Sequence, residues 1–142
     1  MNRYTQKNIP TLEKLIQRRK TKLVKSDPLR EFLELLKDSA LTDQAAHPSW
    51  PSVYYDRMVI SADYWLVQLE ESNTVDIYSF MYDIVERYKT LMNQETKKRD
   101  NNEIVGIKGE KNAVQEILNF TISGWILNSI KTTTVVGLDI TV

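Results

Sequence analysis

Residues 52–71, SVYYDRMVISADYWLVQLEE, limit the possible folds more than any other segment, because their apolar side chains follow the period of an α-helix. At 100° per residue, one face about 140° wide collects most of the large apolar residues. These are Tyr54, Tyr55, Met58, Val59, Ala62, Trp65, Leu66 and Leu69. A β-strand would instead place Asp56 on the face of Met58, and Asp63 on the face of Trp65. We therefore predict a helix here.

The opposite side of this predicted helix carries a narrower apolar strip, formed by Ile60, Tyr64 and Val67. A helix that is apolar on two sides is expected to be packed from two sides. The next helical pattern, residues 74–99, begins right after Ser72 and Asn73, and such a short connection favours an antiparallel hairpin. We therefore expect a helical hairpin over residues 52–95 to form the core.

Three other segments also have helical patterns, namely residues 11–25, 28–41 and 110–131. Asp27 is a good N-cap and Pro28 suits a first helical position, so the second of these helices is expected to begin there. Residues 42–51, TDQAAHPSWP, contain two prolines and no period, which predicts a loop.

The C-terminal residues 132–142 change to the alternating pattern of a β-strand, rich in β-branched side chains. A lone strand leaves its backbone groups unpaired, so this strand needs a partner. The candidates are a short strand within 103–109 and a second copy of the chain. The fold class predicted for residues 1–142 is thus mainly α, a single-domain bundle of about five helices with a short C-terminal strand and room for a minor two-stranded ribbon.

Composition excludes several classes of protein. The chain has no cysteine, which rules out disulfides, thiol catalysis and cysteine zinc sites. The absence of cysteine also favours a reducing, cytoplasmic location. The first residues, MNRYTQKNIP, lack the apolar stretch of a signal peptide, and charges interrupt every apolar run before a membrane-spanning length. We therefore expect no membrane insertion.

The net charge is zero, but the charges are segregated along the chain. Residues 1–25 carry eight Lys or Arg against one Glu, and residues 26–96 carry thirteen acidic against five basic side chains. The basic cluster consists of Lys14, Arg18, Arg19, Lys20, Lys22 and Lys25. It is expected to dock on an acidic protein surface or, as the alternative, to bind the phosphates of a nucleic acid. Membrane-surface binding is less favoured, because the cluster lacks bulky aromatic residues.

Residues with catalytic or metal-binding chemistry are sparse. His47 is the only histidine, and it lies in the predicted loop without a second metal-ligating histidine or cysteine. Residues 106–111, GIKGEK, resemble a phosphate-binding turn only loosely. Asp63 and Asp83 are expected at similar heights of the hairpin, but on its solvated faces. We therefore predict no catalytic residue, no metal site and no cofactor.

The leading hypothesis is a non-catalytic interaction protein that forms homo-oligomers through its C-terminal helix and strand. The apolar residues proposed for self-association are Phe120, Leu127, Val136, Leu138 and Ile140. The basic N-terminal helix would dock on an acidic partner, whose identity the sequence does not specify.

Overall fold

The computed structural model describes residues 21–49, 51–69, 71–98 and 100–126. This part of the chain contains four α-helices, followed by a π-helical turn over Ile122–Ile126. The helices are α1 (Asp27–Ala46), α2 (Ser52–Leu69), α3 (Ile77–Lys97) and α4 (Asn101–Thr121). Two short strands, β1 (Leu23–Lys25) and β2 (Thr74–Asp76), complete it. The mainly α class is confirmed, with four helices in the described residues where about five were predicted for the whole chain.

Local sequence signals account for most helix starts. Asp76 caps α3 by accepting a hydrogen bond from the backbone N–H of Tyr78 at 3.2 Å. Asp100 caps α4 in the same way, accepting from Asn102 at 2.8 Å. Helix α1 begins at Asp27, with Pro28 in its first turn, close to the predicted start. It runs on through Ala46, so the predicted loop 42–51 is too long at its N-terminal side.

The short strand predicted within 103–109 is wrong, because these residues belong to α4. Asp100 starts the helix ahead of them, and Gly106 and Gly109 become helical positions at a close contact with α2. The glycines were the reason for predicting a strand or turn here. Tertiary packing therefore overrides their low helix propensity.

The first predicted helix, residues 11–25, is wrong at its C-terminal end, because Leu23–Lys25 form β1. β1 pairs with β2 in antiparallel register, Val24 opposite Val75. Backbone bonds extend the pairing on both sides, from Ile77 N to Lys22 O and from Ser26 N to Asn73 O, both 2.9 Å. A two-stranded ribbon thus exists, but between segments other than those predicted. The predicted terminal strand, 132–142, lies outside the described residues.

One cluster of buried apolar side chains joins the four helices. Helix α4 packs against both α2 and α3, and α1 packs against the other flank of α2. Trp65 is 4% exposed and meets the ring of Phe80 edge-on, with 5.6 Å between the ring centroids. The prediction that Trp65 lies in the core is confirmed. Helices α2 and α3 of the predicted hairpin make few direct backbone contacts with each other, and α4 packs against both.

The second apolar strip of α2 is not packed. Ile60, Tyr64 and Val67 are 59%, 54% and 66% exposed. Helices α1 and α4 both cover the broad apolar face of α2, which leaves its narrow strip at the surface. The expectation that this strip would be buried is therefore wrong.

Candidate functional site

A groove of about 660 Å³ lies between α2 and α3, with α4 at its floor. Helix α2 contributes six of the lining residues, α3 contributes four and α4 contributes one, Glu110. The groove combines apolar, charged and hydroxyl groups. Its shape depends on how α4 packs against α2 and α3.

Helix α4 approaches α2 closely because glycine occupies the contact. A Cβ atom added at Gly109 would overlap the carbonyl oxygen of Tyr54 and lie 2.9 Å from its carbonyl carbon. One turn earlier, a Cβ at Gly106 would lie 3.0 Å from Nη1 of Arg57 and 3.4 Å from Cγ2 of Val53. Side-chain size at the contact sets the distance between packed helices, so these glycines bring the two backbones together. This positions the next residue, Glu110, at the floor of the groove.

Glu110 holds two arginines at the floor. Its Oε1 accepts from Nη2 of Arg57 at 2.6 Å, while Arg87 donates from Nε to Oε2 at 2.7 Å and from Nη2 to Oε1 at 2.9 Å. Arg57 comes from α2 and Arg87 from α3, so a carboxylate that is 11% exposed connects three helices. Burial raises the pKa of Glu110, but the hydrogen bonds from Arg87 and Arg57 outweigh it and leave this pKa below its ordinary value. The glutamate is therefore ionised at neutral pH.

Two polar groups of the groove have no partner among the described residues. Ser61 is 3% exposed, and its hydroxyl forms no hydrogen bond there. Asp83 is exposed and forms no hydrogen bond or ion pair in the described part of the chain, and slight desolvation raises the pKa of its carboxyl group. A buried hydroxyl is ordinarily paired in proteins, whereas an exposed carboxylate is hydrated. Ser61 therefore lacks its expected partner, and Asp83 is accessible to a ligand that enters the groove.

The exposed strip of α2 forms the rim of the groove. Ile60 and Tyr64 line it, and Val67 continues the same helix face one turn beyond Tyr64. From Ile60 to Val67 the strip is about 10 Å long at the rise of an α-helix. An exposed apolar strip next to a partly polar groove is typical of a surface that binds another macromolecule.

Most of the predicted basic cluster, namely Lys14, Arg18, Arg19 and Lys20, lies outside the described residues. Lys22 directly precedes β1, and Lys25 is the last residue of β1. The Lys22 side chain donates to the carbonyl oxygen of Trp125 at 3.3 Å, and its backbone N–H donates to Asp76 at 3.1 Å. The first residues of the described region thus contact its last residues.

Among the residues predicted for self-association, the structure describes only Phe120. Its ring stacks on Phe32 of α1 with centroids 4.3 Å apart, and it meets Trp125 edge-on at 5.7 Å. Phe120 therefore contacts other helices of its own chain and is half-buried. Leu127, Val136, Leu138 and Ile140 lie outside the described residues, and their role stays a prediction.

The structure separates the two aspartates that the sequence placed at similar heights. Asp63 pairs with Lys37 of α1 at 2.9 Å, whereas Asp83 lines the groove. No group of three metal-ligating side chains occurs among the described residues. His47 is exposed at the end of α1, and residues 106–111 are helical, so the loosely predicted phosphate-binding turn is absent there.

Sequence reasoning missed the ion cluster of Glu110, Arg57 and Arg87. A signal was present, because Glu110 precedes Val114 by four residues and Arg87 precedes Leu91 by four, which puts both charges on apolar helix faces. Such positions indicate a charge buried with a partner. The helix spacing alone does not say which partner, since the three residues come from different helices.

Comparisons with protein-family models, with curated proteins and with solved structures found no match. In the described part of the chain, no helix is long and apolar enough to span a bilayer.

Proposed function

We propose that this protein is a non-catalytic interaction protein that self-associates, and that its basic N-terminal segment docks on an acidic protein surface. The observation that carries the proposal is the unpacked apolar strip of Ile60, Tyr64 and Val67, which borders an open groove. An exposed apolar strip of this kind is costly in water and useful when a partner covers it.

Charge segregation supports the same function. Residues 1–25 have a net charge of +7, from eight basic and one acidic side chain, and residues 26–96 have −8, from five basic and thirteen acidic ones. Two copies would therefore attract each other when the basic segment of one faces the acidic body of the other. The strand predicted for residues 132–142, with Val136, Leu138 and Ile140, would offer a second contact by pairing with a strand of another copy.

The alternative function is binding of a nucleic-acid backbone through the same basic segment. It is the second candidate, because carboxylates line the groove and the backbone N–H of Lys22 donates to the carboxylate of Asp76 at the start of α3. It predicts that duplex or single-stranded nucleic acid binds with a steep salt dependence and that Arg18→Ala with Arg19→Ala abolishes binding.

Mass in solution tests the proposed function. The full chain should show a mass that rises with concentration in light scattering, and that falls as salt screens the charges. Deletion of residues 132–142 should lower the mass at equal concentration. A monomer at every concentration, before and after deletion, would contradict self-association.

A further inference from the structure

We infer that the groove between α2 and α3 is the acidic surface that receives the basic N-terminal segment, residues 11–20, of a second copy of this chain. The inference rests on the proposed function and adds the place of contact. Three features of the groove support it: the unpartnered hydroxyl of Ser61, the charge of the α3 wall, and the match between the apolar rim and the segment.

A buried hydroxyl lies inside the groove without a partner in the described part of the chain. Ser61 is 3% exposed and lines the groove, yet its Oγ has no hydrogen-bond partner among the described residues. A buried hydroxyl is ordinarily paired, so the groove contains a polar position that a ligand completes. Serine both donates and accepts, and therefore suits a peptide backbone or a polar side chain.

The α3 wall of the groove carries several charged side chains. Arg57 and Arg87 both direct their guanidinium groups to Glu110, whose single negative charge offsets one of their two positive charges. The remaining acidic groups of the groove are Asp83 and Glu86. The Glu86 carboxylate pairs with Lys89, at 3.3 Å in an exposed pair three residues apart, which is a weak interaction. The α3 wall thus carries two carboxylates against one arginine, and that arginine is paired with Glu110, so the wall attracts a lysine or arginine.

The apolar residues of the rim and those of the N-terminal segment have the same spacing. Ile60, Tyr64 and Val67 repeat along one face of α2 at helical spacing. In residues 11–20, TLEKLIQRRK, the apolar residues Leu12, Leu15 and Ile16 also repeat at helical spacing, and Lys14, Arg18 and Arg19 accompany them. An amphipathic segment that lays its apolar side into a groove and its charges against the walls is a recurring mode of recognition.

A phosphate-rich ligand fits this groove poorly. Asp83, Glu86 and Glu110 would repel it, and both arginines already bind a carboxylate. A cationic peptide gains charge pairing at Asp83 and apolar contact at Ile60 and Tyr64 in one binding event.

A labelled peptide of residues 10–21 is the direct probe. It is added to the full-length variant Arg18→Glu/Arg19→Glu, whose own segment no longer competes for the groove. Fluorescence anisotropy should show saturable binding that weakens as salt is raised from 50 to 500 mM. No saturable binding to this variant would overturn the inference, whatever the mass of the wild-type chain is.

Two matched double variants, made in the same Arg18→Glu/Arg19→Glu background, locate the contact. Asp83→Lys/Glu86→Lys reverses two charges inside the groove and should weaken peptide binding at least about 30-fold. Glu34→Lys/Asp38→Lys reverses two charges on the exposed face of α1 and should leave the affinity within about twofold. The opposite ranking would place the contact on α1 and overturn the inference. Circular dichroism on both variants verifies that each is folded.

Ser61→Ala gives a smaller, separate readout. Loss of one hydrogen bond to the peptide should weaken binding about threefold to tenfold. An unchanged affinity would contradict the assigned role of the Ser61 hydroxyl.

Mixing two full-length variants decides whether the segment comes from a second copy. Arg18→Glu/Arg19→Glu and Asp83→Lys/Glu86→Lys should each associate less than wild type, whereas their equimolar mixture should regain association. In the mixture, each segment meets a groove of opposite charge on the other copy. A wild-type monomer that still shows a groove-dependent peptide site would assign the segment to the groove of its own chain and overturn the second-copy inference. If both variants associated as strongly as wild type, the protein would still self-associate, but not through the groove, and the inference would be overturned.

Discussion

Helix α2 meets its neighbours in two different ways, and the difference follows from side-chain size. Towards α4 it presents its backbone at Tyr54 to Gly109, with no room for even one methyl group. Towards α3 it contributes the Trp65–Phe80 contact between buried rings and leaves a groove of about 660 Å³ beside it. Glycine thus closes one interface completely, while long charged side chains and an aromatic pair keep the other partly open.

The two interfaces of α2 also differ in what they offer to a ligand. The α2–α4 contact offers nothing to a ligand, because its atoms are already in contact. The α2–α3 groove contains an ion cluster that is satisfied, together with Ser61 and Asp83, which have no partner in the described part of the chain. Variants on the two sides of α2 should therefore differ in kind as well as in size.

The largest effect is expected at Trp65, where the two sides meet. Trp65→Ala should lower the free energy of unfolding by about 3–5 kcal/mol, because it removes a large buried ring and leaves a cavity below the groove. Urea denaturation of both proteins measures the difference. Tyr64→Ala, at an adjacent exposed aromatic, is the control and should cost far less. Equal losses would show that Trp65 is no more buried than its neighbour.

The second effect tests the close approach of α4. Gly109→Ala should destabilise by about 2 kcal/mol, because overpacking against the Tyr54 backbone costs up to about 3 kcal/mol and the better helix propensity of alanine returns about 1 kcal/mol. Thermal or urea unfolding provides the measurement.

Gly124 offers the matched control, since a Cβ there would meet no atom within 4 Å. Gly124→Ala should leave stability unchanged or slightly higher. If both alanine variants unfolded like wild type, the tight α2–α4 contact would be disproved.

Sequence reasoning predicted the broad face of α2 well and its surroundings poorly. Period and residue type are local, so Trp65 and its neighbours could be assigned to the core from spacing alone. Gly106 and Gly109 have low helix propensity, which is a local property and indicates a turn. The packing against α2 that overrides this propensity is not local, so the sequence does not show it. Strand β1 was missed for the same reason, since three residues become a strand only when β2 pairs with them.

The groove and its ion cluster could not be predicted from the sequence. Glu110, Arg57 and Arg87 come from three helices, and no sequence spacing reports that they converge. The charge segregation was visible from the sequence, and it motivates the proposed docking of residues 11–20. The groove that would receive them depends on how α4 spaces its neighbours, which only the fold shows.

The third prediction uses the two carboxylates of the groove, whose pKa values shift in opposite directions. The pKa of Glu110 lies below its ordinary value, because the arginine hydrogen bonds outweigh the effect of burial. Its contribution to stability is therefore complete above the ordinary carboxyl pKa and is lost as the pH falls through the folded-state pKa. Glu110→Gln should cost about 1.5 kcal/mol at pH 7, and less at pH 3.

Asp83→Asn is the counterpart. Burial raises the pKa of Asp83, so its ionised form is disfavoured in the fold and stability falls as the pH rises through that pKa. The variant should be slightly more stable than wild type at pH 7, with the difference vanishing in acid. Urea titrations at several pH values measure both trends. A shared sign for the two variants would contradict the distinction between a satisfied and an unpartnered carboxylate.

The smallest effect concerns two buried serines. Ser26 donates from its Oγ to the carbonyl oxygen of Ser72 at 2.5 Å, and so ties β1 to the turn before β2. Ser26→Ala should therefore cost about 1 kcal/mol. Ser61 is just as buried, but its hydroxyl has no partner in the described residues, so Ser61→Ala should be neutral or stabilising by up to about 1 kcal/mol. Unfolding free energies of the two variants, measured side by side, make the comparison direct. A loss at Ser61 equal to that at Ser26 would mean that the Ser61 hydroxyl is already satisfied in the isolated protein, and the groove would lose its strongest mark of an absent partner.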